Sequence, residues 1–253
     1  MSVAAGIAFC ALEQARPFAK AGLVDPNTRL YEIPESTSGF TPGEREEARR
    51  ITGLDGSPGV LWVGHLDVNK DPLTVLEAIS ETARALPGLR LHCCFGKAPL
   101  LQAVQDRVAR DFRLRERVKL LGCVPHERIE LLMRAADIFI LGSHREGSGY
   151  SLIEALACGL PPVVTDIASF RSLTRSGRVG MLWPCGDAHA ASQALQSIGG
   201  GLGSGMRAEV RAHFDRELSA DALGLKMAAM YEDVLKQTRE SSTLPRRRAM
   251  RIS

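Results

Sequence analysis

A chain of 253 residues with 45% hydrophobic side chains can form one large or two small domains, which excludes a fibre or a disordered chain. The net charge of +3, without a basic stripe in the body of the chain, argues against a nucleic-acid partner. Six cysteines without CxxC spacing, and no apolar run of about 20 residues, argue against a disulfide or zinc framework and a membrane span, so we expect a protein of the reducing cytoplasm.

The first part of the chain differs in pattern from the rest. It contains one helical stretch, an extended piece around YEIPES and a charged helix in PGEREEARRITG. This is too little apolar sequence for a core of its own. We therefore treat residues 1–55 as separate from the domain that follows.

From Gly59 onward, short apolar runs alternate with helical patterns. The first helix is expected to begin with Asp71 as its N-cap and Pro72 at its first position. Continuous apolar strands separated by helices predict an α/β fold, a doubly wound parallel sheet of the Rossmann type over residues 56–200. In chain order, the predicted strands are GVLWVG, LRLHCCFG, VKLLG, DIFILGS, PPVVTD and VGMLWP, and the helices between them are DPLTVLEAISETARAL, PLLQAVQDRVARDF, ERIELLMRAA, SLIEALA and FRSLTR.

Extra helices are expected after this sheet. The low-complexity stretch GGGLGSG at 199–205 is interpreted as a flexible connector, and helical patterns cover 206–216 and 218–236 within a segment 201–240. The basic end of the chain, 241–253, is expected to be a solvated, disordered tail. Its arginines leave open a contact with anionic lipid at the inner face of a membrane.

Two loops are expected to form the functional site, because such sheets bind ligands at the carboxyl ends of their strands. They run from Gly64 to Asp71 and from Gly142 to Ser151. In the second loop, Gly147 and Gly149 permit unusual backbone angles and a close approach by a ligand. A helix beginning at Ser151 would present free N–H groups to a phosphate.

Two acids flank this second loop. Ionised Glu146 and Glu154 would repel a phosphate but accept hydrogen bonds from hydroxyl groups, so a ligand with a central diphosphate and a sugar at each end fits the loop. The spacing also permits a simpler interpretation. Ser151 and Glu154 form the pattern of a capping box, in which Glu154 only bonds back to the Ser151 amide, and Glu146 is then an exposed loop acid.

A resemblance favours the ligand interpretation. The segments GHLDVNKDPLTVLEA, LLGCVPHERIELLMRAADIFILGS and REGSGYSLIEALACGLPPVVTD resemble the C-terminal, donor-binding domain of the family-4 retaining glycosyltransferases, the glycosyl transferases group 1 of the GT-B fold. The resemblance covers roughly residues 33–234. It implies an enzyme that moves a sugar from a nucleoside diphosphate sugar, such as a UDP-sugar or GDP-sugar, to a hydroxyl acceptor.

The resemblance also implies a role for each site residue. Glu146 would contact hydroxyls of the transferred sugar, Glu154 the ribose, and Lys70 the leaving diphosphate, while the backbone at Val124 would bracket the base. No cofactor and no metal are implied, because the chain has no D-x-D motif and Lys70 with the helix N-terminus would stabilise the leaving group. Backbone amides around further residues would meet the sugar and the diphosphate: Gly147, Ser148, Gly149, Ser151 and Leu152.

The sequence departs from the family pattern in two ways. His65 stands where the family has an arginine, and because histidine is mostly neutral at pH 7, the cationic clamp is expected to weaken as pH rises. Most of the N-terminal, acceptor-binding domain has no counterpart, and residues 1–55 resemble only its end and the linker. An exposed apolar face is expected where that domain would dock, and a partner chain or a second copy could cover it.

Two other functions stay open at this point. A nucleotide-sugar-binding module without transferase activity is the main alternative, since so much of the acceptor domain has no counterpart. A nicotinamide-dependent reductase is disfavoured, because GHLDVNKD stands where a G-x-G-x-x-G would follow the first strand. The sequence does not specify the base, the sugar or the acceptor.

Overall fold

A computed structural model of the chain describes residues 4–26 and 28–243. The strands are β1 (Gly6–Phe9), β2 (Arg29–Glu32), β3 (Gly59–Gly64), β4 (Arg90–Phe95), β5 (Val118–Gly122), β6 (Ile138–Leu141), β7 (Pro162–Thr165) and β8 (Met181–Trp183). The α-helices are α1 (Arg16–Lys20), α2 (Arg45–Thr52), α3 (Pro72–Thr82), α4 (Leu101–Arg110), α5 (Phe112–Arg115), α6 (His126–Ala135), α7 (Tyr150–Ala157), α8 (Ala168–Leu173), α9 (Ala188–Gly200), α10 (Ser204–Glu217) and α11 (Ala220–Thr243).

Six strands form one parallel sheet in the order β5-β4-β3-β6-β7-β8. The strand order reverses between β3 and β6, where Val60 pairs with Ile138 and Leu61 with Phe139. This arrangement confirms the predicted doubly wound α/β fold. Because ligands of such sheets bind at the reversal point, the loops after β3 and β6 are the expected site.

The sheet is covered by helices on both faces, which explains its continuous apolar strands. Val60, Leu61 and Trp62 in β3 are all buried. Helix α3 packs on α9, and α7 packs on α10. As predicted, α3 begins with Asp71 as its N-cap, whose carboxylate accepts from the Thr74 amide at 3.2 Å.

One helix predicted as continuous is divided by Asp111. Helix α4 ends at Arg110, Asp111 is extended, and the short α5 starts a new turn. The Asp111 carboxylate caps this turn by accepting from the Arg113 amide at 2.9 Å and also accepts from the Ser80 hydroxyl at 2.7 Å. A side chain that can bond to its neighbouring backbone competes with helix continuation, and here tertiary contacts favour the break.

The prediction of a connector over 199–205 was wrong for most of that stretch. Gly199 and Gly200 belong to α9, and α10 begins at Ser204. Buried Leu195 and Ile198 hold the end of α9 against the core. A Cβ on Gly199 would lie 2.8 Å from Leu86, so this glycine permits close packing inside a helix.

The N-terminal segment contains a strand that was not predicted. Strand β1 pairs with β2 in parallel, with Gly6 opposite Arg29, and forms a separate two-stranded sheet. Helix α11 packs beside it, where Asp233 accepts from the Tyr31 hydroxyl at 2.6 Å and pairs with Arg29. Helix α2, in contrast, packs against α6 of the main sheet domain.

The end of the chain is partly described. Helix α11 extends to Thr243, so residues 241–243 are helical rather than part of a tail. The rest of the predicted tail, 244–253, lies outside the described residues. Among the residues that are described, no helix is both long and apolar enough to cross a membrane.

Candidate active site

A cavity of about 330 Å³ lies at the carboxyl ends of β3 and β4, next to the reversal point of the sheet. The loop after β3, the loop after β5 and the start of α7 form its walls. Six of the residues predicted for the site line this cavity together: His65, Lys70, Val124, Glu146, Ser151 and Glu154. Sequence positions up to 89 residues apart are therefore brought to one place by the parallel sheet.

Glu146 and Lys70 form an ion pair at one end of the cavity. The Lys70 ammonium donates to Glu146 Oε1, and both side chains are largely buried. The backbone amide of Lys70 is fixed in turn by the Asp67 carboxylate at 2.9 Å. Because an ammonium has three donors and a carboxylate two oxygens, each partner keeps hydrogen-bonding capacity for a ligand.

Glu154 has a different partner from the one that the capping box predicts. Helix α7 begins at Tyr150 with Gly149 as its N-cap, and no side chain caps it. Ser151 is therefore the second residue of the helix, and its predicted position at the helix start was wrong. Glu154 Oε1 instead accepts from His126 Nε2 at 2.6 Å, and Glu154 lines the cavity.

The start of α7 offers two backbone donors. Within the described residues, the amides of Tyr150 and Ser151 donate no hydrogen bond to the chain. The amide of Leu152, predicted to meet the ligand, donates to Gly149 O at 3.0 Å instead. The helix N-terminus thus supports an anion at Tyr150 and Ser151 rather than at Leu152.

The two glycines of the loop differ in what they require. Gly149 has φ +69°, and a Cβ there would lie 2.8 Å from a ring carbon of Phe170. A Cβ on Gly147 would meet no atom within 4 Å, and its φ is not in the left-handed region. Only Gly149 therefore needs to be glycine for the backbone to take this path.

Ser148 is buried between the loop and the N-terminal segment rather than on the cavity wall. Its hydroxyl donates to Glu35 Oε1, which also accepts from the Tyr150 hydroxyl at 3.3 Å. The amide of Gln14 donates to the carbonyl oxygens of Glu146 and Gly147 at 3.1 and 3.2 Å. The N-terminal segment thus fixes the outer side of the loop.

His65 and Val124 lie where the resemblance predicts. The loop after β5 brings Val124 to the cavity, and the loop after β3 brings His65. His65 Nδ1 accepts from the Lys97 amide at 3.2 Å, so Nε2 is the ring nitrogen left for a ligand. What these residues bind stays a prediction.

Several supporting residues were missed by sequence reasoning. Asn69 joins the two ligand loops, since its side chain accepts from the Arg145 amide at 3.1 Å and donates to the Arg145 carbonyl at 2.9 Å. Its carbonyl accepts from the His144 amide at 2.8 Å. Asn69 lies in a loop that was predicted to bind a ligand, but nothing in the sequence indicates the partners of Asn69, Gln14 or His126.

Comparisons with known proteins identify the family of the chain. The family model described as Glycosyl transferases group 1 matches residues 44–199. The D-inositol 3-phosphate glycosyltransferase of Acidothermus cellulolyticus is 30% identical over 235 residues, covering 85% of this chain and 50% of that relative. The chain thus spans about half the length of this curated relative.

Two solved structures show the same fold. The Anabaena protein HepE, crystallised with UDP and glucose, superposes with a TM-score of 0.73 at 17% identity, covering 90% of this chain and 63% of that one. The C-terminal domain of a group 1 glycosyl transferase from Francisella tularensis superposes with a TM-score of 0.64 at 19% identity, covering 73% of this chain and 98% of that domain. With the family match over more than half of its length, the chain belongs to the glycosyl transferases group 1 and has the fold of GT-B glycosyltransferases.

Proposed function

We propose that the cavity binds a nucleoside diphosphate sugar and that the chain provides the donor-binding half of a retaining, metal-independent glycosyltransferase. One observation carries this proposal. Glu146 and Glu154 line the same cavity, and one carboxylate oxygen of each bonds to a basic side chain, Lys70 or His126. The free amides of Tyr150 and Ser151 lie at the start of the helix that carries Glu154. The two carboxylates can therefore accept hydrogen bonds from sugar hydroxyls, and the two backbone amides, which lie between them in the sequence, can donate to a diphosphate.

Lys70 is expected to act both before and after a nucleotide sugar binds. The ammonium pairs with Glu146, which keeps a buried carboxylate from being unpaired. Two of its three N–H groups remain for a diphosphate oxygen, so a nucleotide sugar could bind while the ion pair with Glu146 stays intact. As the leaving group gains charge, the ammonium and the helix N-terminus stabilise it.

In the proposed reaction, the bond from the anomeric carbon to the diphosphate oxygen breaks, and a bond to the acceptor oxygen forms on the same face of the sugar. The proton of the acceptor hydroxyl passes to the leaving phosphate. No carboxylate nucleophile is needed, and Glu146 orients the sugar through its hydroxyls rather than attacking it.

The acceptor is expected to be held largely by groups beyond this chain. The relative in Acidothermus is named for transfer to D-inositol 3-phosphate, and this chain spans 50% of its length. We propose that a second domain, from a partner chain or a second copy, completes the cleft. Within the described residues, Cys10, Gln14 and Glu35 of the N-terminal segment contact the loop before α7, which carries Glu146.

Calorimetric titration of the chain with UDP, GDP, UDP-glucose and NAD tests donor binding. UDP is the first ligand to examine, because HepE was crystallised with it. We expect one nucleoside diphosphate to bind and NAD not to bind. Lys70→Ala should weaken binding at least about tenfold, since a charge-assisted hydrogen bond contributes about 1.5–3 kcal/mol. Lys20→Ala, at an exposed lysine on α1, serves as the control.

Binding of NAD alone, or of none of these ligands, would contradict the proposal. A binding module without activity is the second candidate, because the residues that line the cavity account for a nucleotide sugar and none of those described is proposed to bind an acceptor. Release of free sugar or transfer to an added hydroxyl acceptor would identify the enzyme. Binding without either reaction, even after addition of a partner, would identify the module.

A further inference from the structure

The side chain bonded to Glu154 is a histidine from a different part of the chain. His126 is the first residue of α6, and its Nε2 lies 2.6 Å from Glu154 Oε1. The Glu154 side chain is 18% exposed, whereas that of His126 is 66% exposed. The Glu154 carboxylate is therefore largely buried, whereas the His126 ring is largely exposed to solvent.

The ring of His126 is itself held in place. The ring of Phe40, which is buried in the core, lies with its centroid 4.8 Å from that of His126 at an interplanar angle of 37°. Phe40 belongs to the linker before α2, while His126 follows the loop that brings Val124 to the cavity. The linker, the loop after β5 and helix α7 thus meet at this one side chain.

Such an arrangement fixes the position of an otherwise flexible carboxylate. A glutamate loses rotamer entropy when it is ordered, at a cost of up to about 2 kcal/mol. If His126 already orders Glu154 before a ligand binds, the loss of rotamer entropy does not reduce the free energy of ligand binding. The carboxylate keeps Oε2 and a lone pair on Oε1 for hydroxyl donors.

We propose that His126 is a positioning residue that holds Glu154 for the ribose hydroxyls of the donor, so that the site selects ribonucleotides. The inference rests on the proposed function. His126 does not itself contact the ligand in this arrangement. It acts through Glu154, and it also offsets the charge of a carboxylate that lies in the same cavity as the diphosphate.

The surrounding charges support a cationic ring. The hydrogen bond to Glu154 raises the pKa of His126, with smaller contributions from Glu127 and Glu130 on the same helix. Phe40 faces the ring from the linker and carries no charge. These acids favour the protonated ring, whereas partial burial opposes it.

The test compares two ligands that differ only in the ribose hydroxyls. The full chain is titrated with UDP and with 2′,3′-dideoxy-UDP, and with the corresponding guanine pair if GDP is the nucleotide that binds. We expect His126→Ala to weaken binding of the ribonucleotide about tenfold, as for a hydrogen bond to a charged group. Binding of the dideoxy analogue should change less than about twofold, because it has no hydroxyl for Glu154.

Two further variants make the result specific. His126→Gln keeps a donor for Glu154 and should recover most of the affinity for the ribonucleotide. His189→Ala, which removes another exposed histidine paired with an acid, Glu81 at 3.1 Å, should change neither affinity. Thermal melting of each variant shows that it is folded.

The outcomes separate the two proposals. If the wild-type chain binds neither UDP nor GDP, the proposed function fails. If it binds a ribonucleotide but His126→Ala weakens both ligands equally, weakens neither, or is not rescued by glutamine, the role of His126 fails while the proposed function stands.

Discussion

Glu146 and Glu154 are each bonded to a basic side chain, Lys70 and His126, and these partners distinguish the site from a pair of exposed loop acids. Lys70 is 76 residues from Glu146 in the sequence, and His126 is 28 residues from Glu154. The sequence motif predicts that these two acids face a ligand. It does not indicate what holds them, because that depends on which loops the sheet brings together.

His65 gives the first prediction at the residue scale. Because the Lys97 amide donates to Nδ1, His65 would meet a diphosphate through Nε2. We expect nucleotide affinity to fall between about pH 6 and about pH 8, and His65→Arg to flatten this dependence because arginine stays charged. Calorimetry across this range measures it, with His189→Arg as the control. An unchanged profile in His65→Arg would show that His65 does not act as a clamp.

Gly149 gives the second prediction at this scale. Gly149→Ala forces a Cβ to 2.8 Å from Phe170 at a φ of +69°, so we expect a loss of about 2 kcal/mol in the free energy of unfolding. Gly147→Ala, where a Cβ meets nothing within 4 Å, should stay within about 0.5 kcal/mol of wild type. Urea denaturation measures both. Equal losses in the two variants would be evidence against the left-handed requirement at Gly149.

At the scale of elements, helix α2 is fixed to the sheet by a buried acid. Asp137, just before β6, accepts from Arg45 and Arg49 of α2 at 2.6 Å each and from the Gly59 amide at 2.7 Å. The same carboxylate thus connects α2, β3 and β6, next to the reversal point of the sheet. An acid at the start of a strand does not indicate this role in the sequence.

The third prediction concerns this connection. Asp137→Asn removes the negative charge that pairs with Arg45 and Arg49. Breaking a buried ion pair costs about 3–5 kcal/mol, and because these arginines are partly exposed, we expect the free energy of unfolding to fall by at least about 2 kcal/mol. Asp106→Asn, whose carboxylate lies 3.9 Å from exposed Arg110, should change stability by less than about 0.5 kcal/mol. Chemical denaturation compares them. A neutral Asp137→Asn would show that solvent can replace the carboxylate.

At the scale of the whole molecule, two buried histidines connect stability to pH. Burial lowers the pKa of His92 and of His213. His213 Nε2 lies 2.7 Å from the Leu173 carbonyl and joins α10 to α8, and His92 bonds to the Asp55 carbonyl at 3.0 Å. Below the ordinary histidine pKa of about 6.5, the unfolded chain binds protons that the folded chain does not bind.

The fourth prediction follows from this difference. Stability should fall as pH decreases from about 7 towards 5, by up to about 1.4 kcal/mol per pH unit for each such histidine. His213→Gln retains a donor for Leu173 but cannot titrate, so its stability should fall less steeply. Urea midpoints at several pH values measure the slope, with His189→Gln at an exposed site as the control. Parallel slopes in wild type and His213→Gln would refute the contribution of His213.

The fifth prediction concerns metal removal. Because Lys70 and the start of α7 are proposed to balance the charge of the diphosphate, EDTA should leave nucleotide affinity within about twofold of its value with Mg²⁺ present. Calorimetry with and without the chelator measures this. Binding that requires Mg²⁺ would contradict the metal-independent mechanism and leave the fold assignment intact.

The sequence by itself determined the fold class and which residues line the candidate cavity together. Alternating apolar runs and helical patterns are local properties, so they predict six parallel strands, and the loop that carries Glu146 and the helix that carries Glu154 follow from where β6 ends. The same local information placed Asp71 at the start of α3. The resemblance of the motif also indicated the family, which the family match confirms, and the donor site stays a prediction.

Only the tertiary structure decided how the site is held. The pairing of β1 with β2, the cap of α7 at Gly149 and the bond from His126 to Glu154 each depend on atoms that are distant in the sequence. The capping-box pattern illustrates the limit. It requires Glu154 at the third position of a helix capped by Ser151, but the helix is capped by Gly149 and begins at Tyr150, so Glu154 lies at the fifth position and bonds to His126 instead.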